Sequence, residues 1–172
     1  EALIRWKHPE KGFIPPDVFI PIAEENGYID EIGQWVIVKA CQQYAQWLQQ
    51  GIISHKVRLS INVSALQLSD ALLPSKLLNT IDEYSLGRDS VLIELTETAV
   101  MNNIDNNITI LGDINETGID ISIDDFGTGY SSLSYIREMP INQLKIDKSF
   151  ILGIPIDPDA VAIVDAIIQI GK

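Results

Sequence analysis

The chain has 172 residues, 46% of them hydrophobic, with a mean hydropathy of +0.13; that is enough for one domain with a substantial core and argues against a disordered chain. A net charge of −12, from 12 basic and 24 acidic residues, argues against DNA or RNA as a partner, which needs clustered Lys and Arg. No signal peptide is visible, and no stretch approaches the roughly 20 apolar residues that span a bilayer.

Residues 1–6, EALIRW, alternate and predict a strand with no beginning. Residues 7–16, with three prolines and Gly12, predict a loop. A short helix over 17–25 ends at Asn26-Gly27, and a long amphipathic helix over 30–50 ends at Gly51. Cys41, the only cysteine, falls in that helix. It can form no internal disulfide, which fits a reducing compartment, and with no His or Asn partner it reads as a packed thiol. A strand over 57–63, a helix over 74–84, a strand over 91–96, a helix over 104–116 closed by Gly118 and a strand over 120–124 follow. After them come a glycine-containing loop, a short helix over 132–137, a strand over 143–146 and a helix over 160–170. Asp157-Pro158-Asp159 introduces the last helix, with proline early and acids facing the helix dipole.

Alternating strands and helices predict a parallel sheet with crossover helices, closed as a barrel or left open. Side-chain parity favours the barrel. Ser60 and Asn62 alternate with Leu59, Ile61 and Val63; Glu94 and Thr96 with Ile93 and Leu95; Ser122 and Asp124 with Ile121 and Ile123; Lys145 and Asp147 with Leu144 and Ile146. An open parallel sheet is usually apolar on both faces, whereas a barrel can turn one polar set inward. A complete TIM-type (β/α)8 barrel takes about 250 residues. The five strands predicted here therefore make a fragment, lacking strands at both ends.

In such an architecture the strand ends converge on one face, bringing Asn62, Glu94, Asp124, Asp125 and Lys145 together. Carboxylate and amide oxygens suit hard cations such as Mg2+ and Mn2+, and two such ions about 3.5–4 Å apart can serve phosphodiester hydrolysis. Adjacent strand residues point to opposite faces, so Asp125 joins Asp124 only if the strand ends at Asp124 and the loop turns back. Lys145 suits a water or developing charge, and Arg5 a phosphate oxygen. Plainer readings exist for each residue: Asn62 as a cap for the next helix, Lys145 as a solvated strand end, Arg5 as a partner for any nearby acid. Concurrence on one side of successive strands weighs against them. The loop over 126–132, FGTGYSS, reads either as mobile and functional or as an ordinary turn, and its glycine spacing fits neither Walker nor Rossmann motifs.

Taken together the motifs resemble the EAL domain, the cyclic-di-GMP phosphodiesterase family of bacterial signalling. The resemblance begins at Glu1-Ala2-Leu3 in EALIRWKHPEKGFIPP. It continues through FIPIAEENGYI, NVSALQL, ELTET, IDDFGTGYSSLSYI and LKIDKSFI, across almost the whole chain. It implies a modified TIM barrel, present over 1–172 as a partial EAL domain truncated at both ends, that cleaves cyclic-di-GMP to linear pGpG with two Mg2+ or Mn2+ ions. By motif, Glu1, Asn62, Glu94 and Asp124 are the implied metal ligands, with Asp124 and Asp125 sharing a second ion. Lys145 is implied to engage the catalytic water, with Asp125 also serving catalysis. Arg5 and Leu3 are implied to contact substrate, and Asp147 to support the site. Glu97 is implied to anchor the DFGTGYSSL loop, which links the site to homodimerisation.

The family's AEGVET-like strand with its further glutamate, a downstream glutamine and the strand before EAL are absent, so the fragment alone is expected to be inactive. Fused GGDEF or sensory domains are expected companions. The domain is expected to be cytoplasmic, in a parent that is soluble or anchored to a membrane. Two other readings stay open: a receptor that binds cyclic-di-GMP without turnover, and an unrelated metal-dependent barrel hydrolase.

Overall fold

The computed structural model describes residues 1–129 and 133–171. The chain opens with a segment that touches the sheet through one parallel bridge, Ala2 to Ile61, in which the Ala2 N–H donates to the Ser60 carbonyl at 2.8 Å. A hairpin follows, β1 (Trp6–His8) paired antiparallel with β2 (Gly12–Ile14). The expected strand over 1–6 is thus reduced to a bridge, and the expected loop over 7–16 contains the hairpin. The turn is closed by a side chain: His8 Nδ1 accepts from the Glu10 and Lys11 amides at 3.1 and 3.2 Å. That closure has none of the Asn-Gly or Asp-Gly character of common hairpin turns.

Helix α1 (Pro16–Glu25) starts on a proline, whose missing N–H costs nothing at a first helical position. Helix α2 (Ile29–Gln49) buries Ile29, Gly33, Ile37, Cys41 and Ala45, a four-residue spacing that draws one stripe along the helix. Tyr44, on the same side, donates to the Val57 carbonyl at 2.5 Å and ties α2 to the approach of β3 (Leu59–Asn62). Burial pushes the Cys41 thiol up to about 11, which makes it inert packing, as its sequence context predicts.

After β3 come the short α3 (Ala65–Leu68), α4 (Leu73–Glu83) and β4 (Val91–Thr96). Then follow α5 (Glu97–Met101), α6 (Ile104–Glu116) and β5 (Asp120–Phe126). The chain ends with α7 (Leu133–Glu138), β6 (Gln143–Ile146), α8 (Lys148–Ile151) and α9 (Pro158–Ile170). Strands β3-β4-β5-β6 form one parallel sheet in sequence order, a partial TIM-like α/β arrangement. Among the described residues no helix is long and apolar enough to cross a membrane.

The register sorts the two faces. Ile61, Ile93 and Ile121 are direct neighbours across three strands, and all three are fully buried, in one core cluster with α4 and α6 residues such as Leu77, Leu111 and Ile114. Each such side chain contributes about 1.5–3 kcal/mol by leaving water. The next rung, Asn62, Glu94, Ser122 and Gln143, is polar from end to end, and Thr96 pairs with Asp124 two rungs higher, on the same face. The parity expected of a barrel with a polar interior is what the sheet has.

Candidate active site

The acids and the lysine meet in the C-terminal halves of β4, β5 and β6. Lys145 Nζ lies 2.7 Å from Glu94 Oε1 and 3.2 Å from Asp124 Oδ2. Partial burial disfavours the ammonium, but the hydrogen bonds and charges of Glu94 and Asp124 outweigh it, so the Lys145 pKa sits above its ordinary value. Lys145 is therefore a cation held between two acids and not a solvated strand end. Glu94 is 1% exposed and lies mid-strand in β4. An acid at such a depth needs a positive partner.

Asn62, at the exposed end of β3, donates through Nδ2 to Glu1 Oε1 at 2.9 Å. It does not cap α3. Ser64 does that in a capping box, its Oγ accepting from the Gln67 amide while Gln67 Oε1 accepts from the Ser64 amide. The Ser-x-x-Gln spacing in NVSALQL carries that signal in the sequence, and the Thr-x-x-Ala of ELTETA carries a second. Thr96 Oγ1 accepts from the Ala99 amide at 3.2 Å and starts α5.

Asp125 reaches its place by a different route from the one expected. The strand does not end at Asp124 but runs to Phe126, with a register shift between Ile123 and Phe126. Asp125 sits in that irregularity with φ of 52°, a left-handed conformation uncommon outside glycine, asparagine and aspartate. The bulge, not a strand end, breaks the alternation between the two neighbouring acids. Asp125 is held above the ordinary carboxylate range by partial burial, then by the charges of Asp124 and Asp147. Asp147, which caps α8 by accepting from the Ser149 amide at 2.8 Å, is held below it first by the Ser149 side chain and then by that amide.

Glu97 is 2% exposed, and its Oε2 accepts from the Gly127 amide at 2.8 Å and the Gly129 amide at 3.3 Å. Both glycines are required by space. A Cβ on Gly127 would come within 2.8 Å of the Phe150 ring, and one on Gly129 within 2.7 Å of Glu97 Oε1. This part of the loop is therefore packed on two sides. The remainder of the expected functional loop, residues 130–132, lies outside the described residues.

Leu3 and Arg5 stand apart from the acids of β5. Together with Glu1, Asn62, Glu94 and Thr96 they line a cleft of about 540 Å³ that extends toward α1 and α2. Asp124, Asp125 and Lys145 are not part of its lining. Arg5 Nη1 donates to the Ile4 carbonyl at 2.8 Å and makes no ion pair with an acid among the described residues.

Oxygen donors dominate the set, which suits Mg2+ or Mn2+. Glu94 Oε2 is buried with no hydrogen-bond partner among the described residues. A carboxylate oxygen left so is costly, and a cation beside it removes the cost. Among the described residues no three His, Cys, Asp or Glu side chains come together tightly enough to hold an ion by themselves. The donors form two pairs, Glu1 with Asn62 and Glu94 with Asp124 across Lys145. They are joined because Asn62 and Glu94 are register partners. In chemical type these oxygen donors fit a divalent ion. Ser122, named in the sequence only through strand parity, is fully buried beside Glu94, and its Oγ also lacks a partner among the described residues.

Comparison with known proteins gives a consistent picture. The bifunctional diguanylate cyclase/cyclic di-GMP phosphodiesterase MucR of Pseudomonas aeruginosa is 42% identical over 172 residues, 100% of this chain and 25% of MucR. The cyclic di-GMP phosphodiesterase NbdA of the same organism is 40% identical over 100% of this chain and 22% of NbdA. The chain thus spans about a quarter of the length of the curated relatives it matches. The solved PaMucR phosphodiesterase, in complex with c-di-GMP, superposes with a TM-score of 0.90 at 42% identity, over 98% of this chain and 68% of that one. The sequence model described as the EAL domain matches residues 1–172. A partial TIM-like parallel sheet, acids on its polar face and a family match over all its residues agree: the chain belongs to the EAL domain family.

Proposed function

We propose that this chain is the core of a cyclic-di-GMP phosphodiesterase, which opens the cyclic dinucleotide to linear pGpG in bacterial second-messenger signalling. The observation that carries the reading is the meeting of Glu94 and Asp124 on Lys145 Nζ, at 2.7 and 3.2 Å, beside the Asn62–Glu1 pair. The names of MucR and NbdA support the substrate.

Glu1, Asn62, Glu94 and Asp124 would hold one Mg2+ or Mn2+ ion, and Asp124 with Asp125 a second. Such ions supply an activated water and charge neutralisation at the phosphodiester. Lys145, pinned by two acids, presents a fixed ammonium to the attacking water and to developing negative charge. Arg5 offers a planar fork to a phosphate oxygen, and Leu3, 55% exposed, offers apolar contact to a base. Glu97 holds the loop that follows Asp124 and Asp125. In this reading the domain works in the cytoplasm, as a homodimer, within a protein that carries GGDEF or sensory domains.

The test is cyclic-di-GMP hydrolysis by the full-length protein with Mg2+ or Mn2+, with pGpG resolved chromatographically. Metal-dependent pGpG formation that is lost in Glu94→Gln supports the reading. Binding without turnover makes the domain a receptor. Turnover that survives chelation and Glu94→Gln overturns the site.

A further inference from the structure

Asn107, near the start of α6, is 0% exposed. Its Nδ2 donates to the Ala99 carbonyl at 3.3 Å, to the Val100 carbonyl at 3.0 Å and to the Asn102 carbonyl. These carbonyls belong to the end of α5 and the residue beyond it. A helix terminus leaves such groups without intrahelical donors. Three acceptors around one nitrogen also settle which way the amide faces, since the reverse orientation would set Oδ1 against three oxygens. Oδ1 itself has no hydrogen-bond partner among the described residues. The side chain therefore tolerates one unmade bond in order to satisfy the carbonyls.

Helix α5 has five residues, too few to persist without help from outside. Thr96 holds its first turn through the Ala99 amide, and Asn107 holds its last. Glu97 stands between these two clamps. Its carboxylate receives the Gly127 and Gly129 amides, in the stretch that directly follows Asp124 and Asp125. A continuous set of contacts thus runs from Asn107 through α5 and Glu97 to the acids at the end of β5.

We propose that Asn107 is a positioning residue for phosphodiester hydrolysis. By pinning the end of α5 it fixes Glu97, and through Glu97 the backbone beside Asp124 and Asp125. The proposal rests on the phosphodiesterase reading and adds to it a residue that touches none of the reacting groups. The motif ELTET contains Glu97 but ends well short of Asn107.

The test compares Asn107→Ala, Asn107→Ser, Glu97→Ala and the Asn107→Ala/Glu97→Ala double variant in the full-length protein. Two readouts are used: amide hydrogen exchange over residues 125–129, which needs no activity, and kcat and KM for cyclic-di-GMP. Asn107→Ala is expected to speed exchange at Gly127 and Gly129 about tenfold, as loss of local protection does. It is expected to lower kcat about tenfold while KM changes less than about twofold. Asn107→Ser, which keeps one donor, recovers part of both, and the double variant is little worse than Glu97→Ala alone. Unchanged exchange at Gly127 and Gly129 in folded Asn107→Ala overturns the proposal. So do losses that simply multiply with those of Glu97→Ala. If Asn107→Ala fails to fold, Asn107→Ser carries the same comparison. If the wild type shows no turnover, the phosphodiesterase reading fails by itself, and the exchange data still decide whether Asn107 holds the loop.

Discussion

Glu94 and Glu1 are proposed for the same ion, yet they stand at opposite extremes of the structure. Glu94 is 1% exposed in β4, between β3 and β5, and ion-paired to Lys145. Glu1 lies exposed on a segment tied to the sheet by one bridge, Ala2 to Ile61, and by its own hydrogen bond from Asn62. Leu3 and Arg5 share that segment. At the centre of the sheet a charged residue belongs to the fold as well as to the chemistry, because its burial has to be matched by a partner. At the edge it belongs to the chemistry alone. The two settings should therefore separate when activity and stability are measured on the same variants.

The largest effect is expected at the centre. Glu94→Ala or Asp124→Asn should reduce turnover by about three orders of magnitude, roughly 4 kcal/mol of transition-state stabilisation. Steady-state rates with Mg2+ and Mn2+ check this, and near-normal rates in both variants would remove these acids from the site. Ile93→Ala, on the opposite face of the same strand, should cost about 2–5 kcal/mol of stability. Its denaturation midpoint measures that loss, and a midpoint close to wild type would mean the sheet's core is not where stability resides. Glu97→Ala should lower kcat by about 10- to 100-fold through the unpinned backbone at Gly127 and Gly129. A normal rate with undisturbed exchange at those amides would refute its role.

Edge variants sharpen the contrast. Arg5→Ala should raise KM about tenfold, the loss of one charge-assisted contact, without moving the melting temperature. A large drop in melting temperature would show that the edge segment is structural after all. The smallest effect is expected at Asp70, which accepts from the Leu72 amide at 2.9 Å and pairs with Lys76 at 2.6 Å on the outer surface. The Lys76 hydrogen bond, then the Leu72 amide, hold its pKa below the ordinary value. Its contribution is thus present above the unfolded value, about 3.9, and fades as pH falls through the folded one. Asp70→Asn should cost well under about 1 kcal/mol at pH 7, since the pair is partly exposed. The difference from wild type should start to shrink as pH falls below about 4. Paired urea titrations at pH 7 and pH 3 read both.

What could be read in the sequence follows the same division. The strands over 91–96 and 143–146 and the helix over 104–116 match the structure end to end. Their periodicity is strong and their limits are marked by polar or glycine residues. Parity alone puts Asn62, Glu94 and Asp124 on the polar face, because a side chain's face in a strand is set by counting in twos. Elements held by single side chains escaped. The hairpin closes on the His8 imidazole, and α3 and α5 each start on a capping hydroxyl, from Ser64 and Thr96. The bulge at Asp125 escaped as well, since a register shift is a relation between two strands. So did the contact of Asn107 with three carbonyls, which has no characteristic spacing.

Gly127 and Gly129 carry a consequence for the spacing of the elements around them. The backbone they form is a spacer of fixed thickness, with the Glu97 carboxylate on one side and the Phe150 ring and Ile167 on the other. One added methyl group on Gly127 would meet the Phe150 ring and the Ile167 side chain, on α8 and α9, and would be strained at a φ of 100°. One on Gly129 would push back on Glu97 and hence on α5. Two residues without side chains thereby let the Glu97 carboxylate and the Phe150 ring approach one stretch of backbone closely.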